Sequence, residues 1–206
     1  MSRSVPRSSL ATLLLVPALA LGACGDSGAG EPSEGSSAAT STASTSPSEA
    51  PPTVEPADGP WMKVPGARIR TPKNWVMVTD YLGLVMTRRD KDLRASVALS
   101  PAFVDGTPTL DQLARQMKKR AIYVPKGSKR LEDVVVGGTL YGFHFRNTSN
   151  RQEITDAYGV VNHGGEWTIT FDFPRMVIND KEPMDAQERQ ELIDSVLATF
   201  ENIYPD

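Results

Sequence analysis

The sequence predicts one α+β domain over residues 61–206, an antiparallel sheet covered by helices. Three observations predict it. In residues 166–173, Trp167, Ile169, Phe171 and Phe173 alternate with Glu166, Thr168, Thr170 and Asp172, so this strand has one buried and one wet face. Asn162-His-Gly-Gly165 separates that run from the apolar run 154–161, and Asn and Gly accept the positive φ of a hairpin loop. Leu110, Leu113, Ala114, Met117 and Ala121 recur at helical spacing and form one apolar stripe. Half-polar strands with short loops argue for antiparallel pairing, and two helices are expected to cover the sheet's apolar face.

The elements follow in chain order. Ala67-Arg-Ile-Arg-Thr71 is a short strand with Ala67, Ile69 and Thr71 on one face. Pro72-Lys-Asn-Trp75 is a turn, after which residues 76–79 resume extended structure. Residues 82–87 and 93–99 read as two strands joined by the charged turn 88–92. The helix carrying the 110–121 stripe opens on Thr109 with Gln112 three residues on, a capping box, and Pro108 suits its entrance. Pro125 and Gly127 end that segment. Strands are expected at 131–136, 139–146, 154–161 and 166–173, with Gly137-Gly138 as a hairpin turn. A last helix spans about 185–200, with Leu192, Ile193, Val196, Leu197 and Phe200 on one side and Asp185 and Glu188 placed as cap and third residue. About 145 residues suffice for a core without disulfides or metals.

Composition narrows the function classes. The 206 residues include one cysteine, which excludes an intrachain disulfide framework and any zinc site built from several thiolates. Charge is unevenly spread. Residues 1–23 hold Arg3 and Arg7 and no acids, and residues 25–60 hold six acids and no Lys or Arg. That leaves 20 basic against 19 acidic residues for 61–206, with no electrostatic footprint for nucleic acid.

The N-terminus reads as an address. Arg3 and Arg7 precede the apolar run 10–20, whose eleven residues match a signal-peptide core and fall short of the roughly 20 needed to span a bilayer. Leu21-Gly22-Ala23-Cys24 closes it and resembles the lipobox of bacterial lipoproteins. That resemblance implies diacylglyceryl and palmitate-type acylation of Cys24, cleavage just before it, and attachment to the extracytoplasmic face of the cell membrane. Two or more acyl chains anchor stably where one does not. A modified Cys24 leaves no free thiol for redox catalysis.

Residues 24–60 are expected to be a disordered tether. From Gly25 to Pro60 the chain is Ser, Thr, Pro, Ala, Gly and Glu with no aromatic before Trp61, too little apolar surface to offset chain entropy. Thirty-six such residues reach roughly 35 Å on average and about 120 Å fully stretched. The Ser/Thr-Pro richness is also compatible with O-glycosylation.

A second resemblance concerns the folded part. Ile69-Arg-Thr-Pro-Lys-Asn-Trp75 is similar to the strand, Pro-x-x-Trp turn, strand entry of PsbP-like domains. The later order of strands, a helix opening near a Thr-Leu pair, a strand meander and a C-terminal helix ending in Phe is similar too. Small LpqN-type lipoproteins of actinobacteria share this arrangement behind a lipobox and a Ser/Thr/Pro tether. The resemblance implies a PsbP-like α/β/α sandwich, without a shared catalytic set, used mostly for binding or assembly.

Chemistry-bearing residues are sparse. His144 and His163 are nineteen apart and lack metal-ligand spacing, so no metal or cofactor is expected. His144 opposes Tyr141, Phe143 and Phe145 on its strand, and reads as exposed or packed under a helix; His163 sits in a turn. Asp156, Glu166 and Asp172 are expected to share a wet sheet face, where paired carboxylates perform acid–base work on glycosides. Lys118, Lys119 and Arg120, with Lys126, Lys129 and Arg130, form a basic cluster suited to a helix C-terminus or to anionic headgroups and wall polymers. Trp61, Trp75 and Trp167 are assigned to the tether boundary, turn packing and core, with Trp61 the most exposed.

These readings lead to an expected function: a membrane-anchored, non-enzymatic binding or assembly module whose partner is an envelope protein or cell-wall component. The alternative is a small-molecule or lipid carrier with a pocket between sheet and long helix. A hydrolase using Asp156, Glu166, Asp172 or His144 is third.

Overall fold

The computed structural model describes residues 54–104, 106–121 and 124–204. Cys24, the expected signal segment and the tether up to residue 53 lie outside the described residues.

Two antiparallel sheets are present where one was expected. The smaller joins β1 (Trp61–Val64), β2 (Ala67–Arg70) and β11 (Glu201–Asn202) in the order β1-β2-β11. The larger uses β3 (Val76–Tyr81), β4 (Val85–Arg89), β5 (Ser96–Pro101), β6 (Lys129–Arg130), β8 (Leu140–Asn147), β9 (Glu153–Asn162) and β10 (Gly165–Pro174). Its order is β3-β4-β5-β10-β9-β8-β6, and β7 (Val134–Val136) also pairs with β8. Strands β1, β6 and β11 have no counterpart in the sequence reading, and the two-residue β6 and β11 are too short for a periodic signal.

Register decides the layers. Trp167, Ile169 and Phe171 stand opposite Val160, Tyr158 and Asp156, and His144 stands opposite Tyr158, so these side chains share one face of the large sheet. The small sheet and α2 (Ala186–Leu197) pack there, burying Met62, Ile69, Ile193, Val196 and Phe200 against Trp167 and Phe171. Phe143, Phe145 and Ala157 point the other way and are covered by Leu113, Ala114 and Met117 of α1 (Leu110–Arg120). The helices therefore cover opposite faces, not one face, and the sheet lies in the middle of three layers. That is an antiparallel α+β sandwich.

Both helices start where expected. Thr109 and Gln112 form a complete capping box, and Asp185 with Glu188 form another. Helix α1 ends at Ala121, held at φ 53°. Helix α2 stops at Leu197, earlier than expected, and Phe200 reaches the core through a tight turn in which Phe200 N donates to Leu197 O.

Turn chemistry moved several boundaries. Leu82 and Gly83 have φ of 51° and 68°, so they form the tip of the β3–β4 hairpin, and the strand expected from 82 starts at Val85. Asp90 Oδ1 accepts from Arg94 N at 2.9 Å and Asp90 N donates to Ala95 O at 3.1 Å, which delays β5 to Ser96. The strand expected over 131–136 is shortened to β7, and the unexpected β6 precedes it, both laid against β8. Gly137 and Gly138 make the expected hairpin turn with positive φ. At Gly137 a Cβ would meet Phe200 O at 2.3 Å.

The folded body begins earlier than residue 61. Ala57 is buried and its N–H donates to Ser195 O at 2.9 Å, while Gly59 N donates to Thr71 O at 2.8 Å. The low hydropathy of residues 57–60 hid this, because backbone hydrogen bonds hold them together with only the small side chain of Ala57 in the core.

Candidate binding surface

The strands of the large sheet end in two groups of turns. At one end, where the chain enters, Asp58 pairs with Lys73, and a cleft is bordered by Pro72, Trp75 and the Asp90–Asp92 turn. The opposite, distal end gathers the Pro65-Gly66 turn, the Leu82 tip, the segment after β5 and the turn before β10.

Tryptophan 167 organises the distal end. It is buried, its Nε1–H donates to Pro65 O at 2.8 Å, and its ring lies 5.9 Å from Phe200 and 6.1 Å from Tyr204. Tyr204 is set by Ile203 N donating to Gly66 O and by its own N–H on Asn202 Oδ1, and its ring fills space left by Gly66 and Gly164. Asn202 Nδ2 in turn donates to His163 O at 3.0 Å. Ala102 N donates to Glu166 O at 2.7 Å, which turns the chain outward at Phe103.

A cleft of about 290 Å³ results, open to solvent and bordered by Leu84, Phe103, Val104, Trp167 and Tyr204. Phe103 and Tyr204 on its border are 56% and 41% exposed, and the hairpin tip that precedes Leu84 carries Tyr81 and Leu82 at 63% and 83%. Exposed apolar groups in this concentration mark interaction sites on soluble domains. Glu166 lines the cleft, and burial raises its carboxyl above the usual glutamate range. The arrangement suits the capture of apolar groups.

The expected carboxylate trio does not assemble. Asp156 points to the face carrying Trp167 and is fully buried, whereas Glu166 and Asp172 lie on the other face, six residues apart on β10. Six residues span roughly 20 Å of strand, too far for joint acid–base work. Asp172 Oδ1 accepts from Thr155 Oγ1 at 2.8 Å, and burial raises its carboxyl.

His144 is buried, not exposed, and stacks on Tyr158 with ring centroids 4.4 Å apart. Its Nε2 and Arg146 Nε each lie 2.6 Å from Asp156 Oδ1. Burial, chiefly, and the Asp156 charge next push the Tyr158 phenol far above its usual range. His163 is exposed in its turn. Among the described residues no group of three or more His, Cys, Asp or Glu is placed to hold a metal, and no helix is long and apolar enough to cross a membrane.

The basic cluster divides. Lys118 Nζ lies 5.8 Å and Arg130 Cζ 5.4 Å from the Phe145 ring, and with Arg115 and Asp111 they border a cleft of about 250 Å³. Arg130 already pairs with Asp133 and lies 3.7 Å from Asp111. Arg120 turns away to donate to Phe103 O. Lys119 is exposed on α1, Lys126 and Lys129 are exposed beyond it, and Asn147 Nδ2 donates to Lys126 O.

Trp61 is half-buried under Arg68 and Arg70, each 4.3 Å from its ring, while Trp75 is buried. A carrier pocket was expected between the sheet and the long helix; Leu113, Met117, Phe143 and Phe145 fill the space under α1, and Ile193, Val196 and Phe171 belong to the packed core under α2.

Sequence reading missed the distal cleft. Leu82 and Leu84 were absorbed into a strand, and Phe103 and Tyr204 lie outside every periodic run. The one usable signal was Leu82-Gly83 between two apolar runs, a two-residue hairpin tip with leucine in place of the usual Asn or Asp.

Comparison with known proteins gives shape neighbours. No family model matches the chain, and no curated protein matches it. A protein of Bacteroides thetaiotaomicron VPI-5482, solved at 1.50 Å, is 13% identical with a TM-score of 0.41. The match covers 68% of this chain and 46% of that one, so this chain spans about half of its length. The cyanobacterial PsbP protein (CyanoP) of Synechocystis sp. PCC 6803 is 20% identical with a TM-score of 0.43, over 66% of this chain and 86% of that one.

Proposed function

We propose that this protein is a lipid-anchored, extracytoplasmic lipoprotein whose PsbP-like domain works as a non-enzymatic binding module in the cell envelope. The observation that carries the binding role is the distal end of the sheet, where Phe103 and Tyr204 border an apolar cleft and Tyr81 and Leu82 stand in water at the neighbouring hairpin tip. Leaving such side chains solvated forgoes burial worth about 1.5–3 kcal/mol apiece, an arrangement that fits docking. The anchor rests on Leu21-Gly22-Ala23-Cys24 after an eleven-residue apolar core. The PsbP-like, LpqN-type assignment rests on the Ile69–Trp75 entry and the order of the elements.

Fractionation of cells expressing the parent and Cys24→Ser tests the anchor. The parent is expected in the detergent-soluble membrane fraction and the variant in the released fraction; a variant retained like the parent contradicts the reading. Phe103→Asp tests the surface, since it should abolish crosslinks to envelope components formed by the parent.

A further inference from the structure

We propose that the distal end of the large sheet docks onto an anionic lipid bilayer, the Leu82 tip entering the interface and the basic end of α1 facing the headgroups. The inference rests on the binding-module reading above and names what the surface binds.

Three observations support it. Leu82 protrudes at a hairpin tip, 83% exposed, in a left-handed conformation that leucine rarely adopts. A hydrocarbon side chain on a protruding turn is what enters a headgroup layer. Tyr81 flanks Leu82 in sequence, Phe103 and Tyr204 are exposed at the same end of the sheet, and aromatic side chains, tyrosine above all, concentrate at membrane–water interfaces. Arg120 donates to Phe103 O, so the basic end of α1 abuts the apolar rim, with Lys118 and Lys119 exposed in the same turn. Juxtaposed apolar and basic side chains match an anionic bilayer, whose surface attracts Lys and Arg while its acyl region accepts leucine.

The nearby acids are placed compatibly. Asp80 Oδ1 is occupied by Gly83 N at 2.9 Å, and Glu166 sits half-buried in the cleft with its carboxyl raised by burial.

Reach is also sufficient. The chain enters at the opposite end of the sheet, and ten-residue strands such as β10 measure roughly 34 Å. Twenty-nine residues lie between Cys24 and Val54, a contour of about 100 Å. A domain tethered that way can tip over and lay its distal end on the membrane that anchors it.

The test uses the chain from position 24 onward with Cys24→Ser, which carries the tether and the whole core from Ala57 to Phe200 but no acyl group. It is floated with phosphatidylglycerol-rich or pure phosphatidylcholine vesicles. Flotation with the anionic vesicles is expected, weakened about tenfold or more by Leu82→Asp and by Lys118→Glu/Lys119→Glu. Lys91→Glu, at the opposite end, changes net charge without touching the surface and should bind like the parent. Far-UV circular dichroism checks that each variant is folded, and Leu82→Asn replaces Leu82→Asp if the latter is not. Absence of flotation overturns the proposal, as does equal binding by the folded Leu82 variant. Self-association that Leu82→Asp disrupts, without any vesicle binding, assigns the surface to a second copy and overturns it too. None of these outcomes touches the anchor, which the Cys24→Ser fractionation reads separately.

Discussion

His144 Nε2 and Asp156 Oδ1 lie 2.6 Å apart inside the domain, and Arg146 Nε reaches the same oxygen at the same distance. Asp156 is fully buried and its Oδ2 has no hydrogen-bond partner among the described residues. One oxygen therefore receives both donors, and Arg146, whose side chain is about one third exposed, supplies the permanent positive charge. Removing the carboxylate strands both donors against the sheet. Asp156→Ala is expected to cost about 3 kcal/mol in urea unfolding. His144→Phe keeps the stack on Tyr158, loses one hydrogen bond, and should cost about 1 kcal/mol.

Gly137 and Gly138 separate two causes of strain. Both have positive φ, but a Cβ at Gly137 would lie 2.3 Å from Phe200 O, whereas at Gly138 it would meet nothing within 4 Å. Gly138→Ala should therefore cost only the conformational penalty, about 1 kcal/mol. Gly137→Ala adds a backbone collision and should cost about 3 kcal/mol, read from the same denaturation curves.

Asp172 makes stability depend on pH in a direction opposite to acid denaturation. Its carboxyl is raised by burial, against the hydrogen bond from Thr155, while the Glu153 charge adds to the rise. The folded chain then binds this proton more tightly than the unfolded chain. The group's contribution is greatest below the ordinary aspartate pKa and is lost as pH rises through the elevated folded value. Asp172→Asn should melt higher than the parent at neutral pH, and the difference should shrink once the pH falls below about 4. Melting temperatures of both proteins across that range check the sign.

Leu82 sets stability against use. A non-glycine residue at φ 51° costs about 1 kcal/mol relative to one that favours the left-handed region. Leu82→Asn suits the two-residue turn and should stabilise the domain by roughly 0.5–1 kcal/mol while weakening vesicle flotation. Calorimetry and flotation on the same preparation measure the two effects.

Strong local codes were legible in the sequence. The 166–173 alternation became β10, both capping boxes formed, and Gly137-Gly138 closed a hairpin. What stayed hidden depends on neighbours distant in sequence. Asp156 carries a strand's alternation like any exposed acid, and only pairing β9 with β8 reveals that Arg146 and His144 meet its carboxyl inside the domain. The second sheet is invisible because β11 gains its identity from β2, some 130 residues earlier. The distal surface was illegible for the same reason: Leu84, Phe103 and Tyr204 line one cleft only once the turns that carry them are brought to one end.

A photoreactive residue placed at Phe103 or at Asn74 in living cells tests the central claim most directly. Both positions are exposed, one at the distal end and one where the chain enters. The account predicts adducts with membrane lipid at Phe103 and none at Asn74. Adducts at Asn74 with a silent Phe103 would contradict it.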